Sequence, residues 1–171
     1  MKNFEGFVDA PMFYDTVRIV PDKPTGSIMF FTSPRGKRLD DGTIKTFTHT
    51  NMHKGSLIPS DVVDFHLLGL KIEVLDPLHG AFPEFLRSNA VLIINERPWP
   101  DYMPMDMWIK GIKILEDIHI ERFENFRVDV HWTEKPFEVK KNILDVRACL
   151  YGIPAREVKL KDPEKIHSED D

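Results

Sequence analysis

Phe126-Arg-Val-Asp-Val-His-Trp132 decides the fold class: Phe126, Val128, Val130 and Trp132 take every second position, with Arg127, Asp129 and His131 between them. Side chains on a strand point alternately to opposite faces, so this stretch reads as a strand with one face buried. Residues 142–151 repeat the pattern, with Ile143, Val146, Ala148 and Leu150 as the apolar set. Upstream, residues 62–75 are the longest apolar segment. There Leu68, Leu70, Ile72 and Val74 share one face, Gly69 marks a bulge and Pro77 ends the run. Residues 89–96 form a nearly continuous apolar strand, residues 16–20 and 27–32 two shorter ones. Residues 43–50, threonine-rich and alternating, read as an edge strand.

The connections carry the chemistry of turns. Residues 21–26 are dense in Pro, Asp and Gly, and residues 33–42 form a polar loop with Gly36 and Asp41-Gly42 as turn points. Pro83-Glu-Phe-Leu-Arg87 has the proline-first pattern of a short helix. Arg97-Pro-Trp-Pro-Asp-Tyr-Met-Pro104 reads as a proline-aromatic loop. Over residues 107–120, Trp108, Ile109, Ile112, Leu115 and Ile118 fit a helical stripe, but the isoleucine density and Gly111 favour two strands. The expectation is an all-β chain, a single eight- to nine-stranded jelly-roll sandwich over residues 15–158. An apolar N-terminal arm (residues 1–14) precedes it and an acidic C-terminal tail (residues 159–171) follows. There is no βαβ alternation and no repeat.

Composition narrows the function classes. At 171 residues, 42% hydrophobic and 30% charged, the chain buries enough surface to fold without disulfides or metals. Its net charge of −5 argues against a nucleic-acid coat held by excess positive charge, so no specific nucleic acid is expected. The single cysteine, Cys149, excludes an internal disulfide framework and fits synthesis in a reducing cytoplasm. No apolar run is long enough to span a bilayer, and the N-terminus lacks a secretory signal.

Catalytic patterns are sparse. The seven histidines contain no His-X-His pair, and His49 and His53 straddle a strand end, so no metal site is expected. Cys149 has no activating neighbour in sequence. No nucleophile elbow, P-loop or dinucleotide motif occurs. The carboxylate pairs Asp40-Asp41, Asp61/Asp64 and Glu116-Asp117 fall at turns, and Arg35, Lys37 and Arg38 read as a solvated loop. The expectation is no enzyme and no cofactor.

What stands out instead is apolar surface. Phe4, Phe7, Met12 and Phe13 in the arm, and Trp99, Tyr102, Met103, Met105 and Trp108 around the proline loop, are subunit-interface candidates. The same loop could cap the barrel end or, through its aromatic rings, stack on a sugar. Removing residues 1–13 is expected to weaken assembly and spare the fold.

Three stretches carry a resemblance. They are Phe30-Phe-Thr-Ser-Pro-Arg-Gly36, then Lys45-Thr-Phe-Thr-His-Thr-Asn-Met-His-Lys-Gly-Ser-Leu-Ile-Pro59 with the strand to Leu75, and Phe126-Arg-Val-Asp-Val-His-Trp132 with residues 143–158. Together they touch about half the chain and resemble the jelly-roll capsid proteins of tailless icosahedral bacterial viruses, including those with an internal membrane. Ile58 before Pro59 departs from that group's pattern, and the chain is too short for the two fused barrels of its larger members. The resemblance implies a structural coat protein, either a small major capsid protein or a penton or minor shell protein. It would sit in the virion, self-associate or join a second coat protein, and adjoin proteins of an internal viral membrane. The alternative is a carbohydrate- or receptor-binding sandwich of the kind found on viral spikes.

Overall fold

The computed structural model describes residues 11–156. Eight strands and two short helices follow in the order β1 (Phe13–Ile19), β2 (Ser27–Phe30), β3 (Val62–Val74), α1 (Phe82–Phe85), β4 (Asn89–Ile94), β5 (Arg97–Pro104), α2 (Met105–Lys110), β6 (Ile112–Glu121), β7 (Phe126–His131) and β8 (Leu144–Arg156). They form two four-stranded sheets, ordered β1-β8-β3-β6 and β2-β7-β4-β5, and every pairing is antiparallel. The all-β, two-sheet reading therefore holds.

The core lies between the inward faces. Phe65, Leu67, Leu70 and Ile72 of β3 and Leu144, Val146, Ala148 and Leu150 of β8 enter it from one sheet. Phe30 of β2, Phe126, Val128 and Val130 of β7, and Ala90 and Leu92 of β4 enter from the other. Phe13 meets Phe65 edge-on, with ring centroids 4.8 Å apart. Near α1, Phe85 packs edge-on against Trp132 and Phe137, whose rings stack at 4.7 Å. Non-directional burial of this kind drives the collapse, and the edge-on geometry adds fit.

Several expectations need correction. The proline-aromatic stretch 97–104 is the strand β5, paired with β4 through a two-residue turn. Asn95 (φ 48°) and Glu96 (φ 60°) are both left-handed there, as a hairpin with a primed turn requires. Three prolines fit because β5 is an edge strand and needs no donors on its outer side. Residues 107–120 are neither one helix nor two strands: α2 ends at Gly111 and β6 begins at Ile112. The bulge at Gly69 is present, but it resets the alternation, so that Leu67 rather than Leu68 faces the core. Ile143 is exposed, and Leu144 takes its place in the apolar set. The arm boundary at residue 14 also moves, since Phe13 and Tyr14 pair with Leu150 and Cys149 within the sheet. Cutting at residue 13 would thus remove a core side chain.

Residues 43–50 form no strand. They are tied down by a buried ion pair, in which the Lys45 Nζ donates to Asp15 Oδ1 at 2.7 Å and to the Ser33 carbonyl at 3.0 Å. The other Asp15 oxygen accepts the Phe31 N–H at 2.7 Å. Polar groups shut away from water need such partners, and here they replace a strand ladder.

Gly152 marks a close approach of two strands. A Cβ there would lie 2.2 Å from the His66 carbonyl oxygen and 2.6 Å from the Phe65 ring. Gly152→Ala is expected to lower stability by about 1–3 kcal/mol through overpacking. An unchanged urea midpoint would mean that β3 and β8 part at no cost.

Candidate functional site

The interface candidates scatter once folded. Phe13, Met105 and Trp108 are buried in the chain's own core, where no partner reaches them. Trp108 Nε1–H donates to the Ala90 carbonyl at 3.2 Å, which satisfies its polar edge. Met12, Trp99 and Met103 are half-buried against that core. Tyr102 alone among the described candidates is well exposed, at 49%. Phe4 and Phe7 lie outside the described residues. The physical cause is packing: β1 turns Phe13 into the core, and α2 does the same with Met105 and Trp108.

Other apolar side chains take the surface. Leu115 is 86% exposed and Phe123 84%, and Ile153 on β8 is more than half exposed. Leu115 stands on a wide bulge. Lys113 pairs with Gly69 and Ile118 with Leu67, so residues 114–117 of β6 face only Leu68 of β3. Bulges of this kind re-aim side chains.

Beside the bulge, the regular register assembles a cluster on the outer face. His66 of β3 and His119 of β6 are direct cross-strand partners, and their rings stack with centroids 4.7 Å apart. His119 Nδ1 lies 2.5 Å from Asp64 Oδ2 and its Nε2 2.9 Å from Asp117 Oδ1, both within hydrogen-bond distance. His66 Nε2 lies 3.3 Å from that same Asp117 oxygen. Hydrogen bonds to Asp64 first and Asp117 second raise the His119 pKa above its ordinary value. One donor atom each from His66, Asp117 and His119 fall within 4.8 Å of one another. Sequence reading missed this group by looking for histidines two apart on one strand. The legible signal was Asp117-Ile-His119, a carboxylate and an imidazole on one strand face. His66 completes the set only through pairing.

The remaining titratable candidates are accounted for locally. Burial pushes the Cys149 thiol up to about 12, aided by the nearby Glu73 charge, so it is not a nucleophile at neutral pH. His49 Nδ1 accepts the Thr46 N–H, and His53 contacts Arg35. Arg38 donates to the Gly42 carbonyl within its own loop. An open cleft of about 260 Å³ beside β1 and β2 is lined by Arg18, Lys23 and Lys45, each already paired with an aspartate. Comparison of the chain with family models, curated proteins and solved structures finds no match.

Proposed function

We propose that the chain is a single jelly-roll shell protein, a small major capsid protein or a penton or minor shell protein, that works through subunit contacts. The observation that carries this reading is the strand order. Successive strands alternate between sheets except for the β4–β5 hairpin, giving β1-β8-β3-β6 against β2-β7-β4-β5. Eight strands wound as two Greek keys in two sheets is the jelly-roll arrangement used by capsid and lectin domains. Exposed Leu115 and Phe123 near the β6 edge, with Ile153 on the adjoining outer face, supply apolar surface for neighbours. The sugar-platform reading loses support, because Trp108 is buried and Trp99 half-buried, leaving Tyr102 without its partners.

Light scattering over a concentration series is expected to give pentamers, hexamers or larger closed species. Leu115→Asp combined with Phe123→Asp should return the monomer without loss of fold, since both side chains are exposed. A wild-type monomer at every concentration overturns self-assembly. A double variant that assembles normally would move the contacts elsewhere on the sandwich.

A further inference from the structure

We propose that His66, Asp117 and His119 form a binding site for a zinc-class divalent cation on the outer face of the β1-β8-β3-β6 sheet, with a fourth position open to solvent. This goes beyond the shell reading and does not depend on it.

The spacing carries the argument. Tetrahedral zinc with ligands at about 2.0–2.1 Å sets neighbouring donor atoms about 3.3 Å apart. Asp117 Oδ1 stands 3.3 Å from His66 Nε2, an edge that already has that length, and 2.9 Å from His119 Nε2, a hydrogen-bond distance that a bound cation would have to widen. All three donors lie within 4.8 Å, and closing the last edge needs only a tilt of two stacked rings toward each other. Both rings are partly exposed.

The surrounding groups fit the same chemistry. A metal-bound imidazole usually donates its other ring N–H to a carboxylate, which fixes the tautomer. Asp64 fills that role: its Oδ2 accepts from His119 Nδ1 and so leaves Nε2 for the metal. The second Asp64 oxygen, Oδ1, is buried with no hydrogen-bond partner, and a cation in the cluster would act favourably on the carboxylate that carries it. Asp117, two residues before His119 on β6, stands on the same face beside the imidazole pair. Two imidazoles and one carboxylate select zinc, nickel or copper over magnesium and calcium, which prefer all-oxygen sets. The site is open, with Asp117 83% exposed, and binding rather than turnover is the inferred role.

The test uses the full chain stripped of metal, titrated with Zn2+ by calorimetry and with Co2+ by visible absorption. The expected result is one metal per chain with an intense tetrahedral-type cobalt band, unaffected by excess Mg2+ or Ca2+. His66→Ala and His119→Ala should each weaken binding at least about tenfold, and Asp64→Asn by about 10–100-fold, as expected of an orienting partner. All three side chains are partly exposed, so circular dichroism should report an unchanged fold. Thermal melts with and without Zn2+ give a second readout: the wild type should gain stability on binding and His119→Ala should not. Absence of zinc binding overturns the proposal. So does binding of equal strength in His66→Ala and His119→Ala, which would put the metal on other histidines. Subunit mass measured with and without Zn2+ separates this outcome from the shell reading, because the site can fill in a monomer.

Discussion

Lys45→Met is expected to destabilise the fold by about 3–5 kcal/mol, as removal of one partner from a buried ion pair does. Lys45 and Asp15 are both almost wholly shielded from solvent, with side-chain exposures of 3% and 1%. Without the ammonium, Asp15 keeps only the Phe31 N–H and the Thr50 side chain against the cost of burial. Desolvation already raises its pKa above the ordinary value of 3.8, with Lys45 the main opposing influence. A raised folded-state pKa means that the native state holds the proton more tightly than the unfolded chain. The stability this gives is present below the unfolded pKa and lost as pH rises through the folded one. In Lys45→Met the folded pKa climbs further, so the loss extends to higher pH. The deficit against wild type should therefore be largest near neutrality and shrink toward pH 4. Urea unfolding at both pH values checks this, and an equal deficit at the two would sink it. Pairing the change with Asp15→Asn should recover much of the loss, because a neutral amide can keep the Phe31 contact.

Trp108→Ala is expected to cost about 3–5 kcal/mol, whereas Tyr102→Ala should stay within about 0.5 kcal/mol. Both residues belong to the same aromatic stretch of sequence, yet the structure separates them. Trp108 fills the core from α2 and donates to the Ala90 carbonyl, so its loss leaves a cavity and removes that hydrogen bond. Tyr102 stands half out of the sheet on β5, with its ring edge-on to His131 at 5.5 Å. An assembly defect in Trp108→Ala would thus report misfolding, and only a defect in Tyr102→Ala would report a contact. Comparable urea midpoints for the two variants would contradict the burial on which this rests.

These two residues also mark how far the sequence could be read. Period-two patterning found β3, β7 and β8, because a strand with one wet face writes its alternation into the chain, and an unbroken apolar run found β4. It failed at β5, where three prolines imitate a loop, since edge position is a property of the sheet and not of the segment. It failed at residues 43–50 for the opposite reason: alternating threonines look like a strand, but one buried lysine holds them elsewhere. The apolar residues at 99–108 were visible as apolar, and only packing could say which faced inward. The histidine cluster was half legible. Asp117 and His119 share a face by arithmetic, but His66 comes from a strand more than forty residues earlier and reaches them through pairing.

The borders of the two sheets carry a consequence of their own. β2 is four residues long, β5 is studded with proline, and β6 buckles outward at residues 114–117. The fourth border, β1, is occupied by the chain itself: Asn51 N–H donates to the Tyr14 carbonyl, and the Asn51 side chain bonds Tyr14 N–H and the Met12 carbonyl. Among the described residues, then, no border offers a clean row of backbone groups onto which another molecule could zip. Under the proposed shell reading, copies of this sandwich would meet through these residues as tiles do, by the texture of their sides. Joints of that sort can be unmade and reset, so an assembly built on them would release a misplaced neighbour before it is locked in.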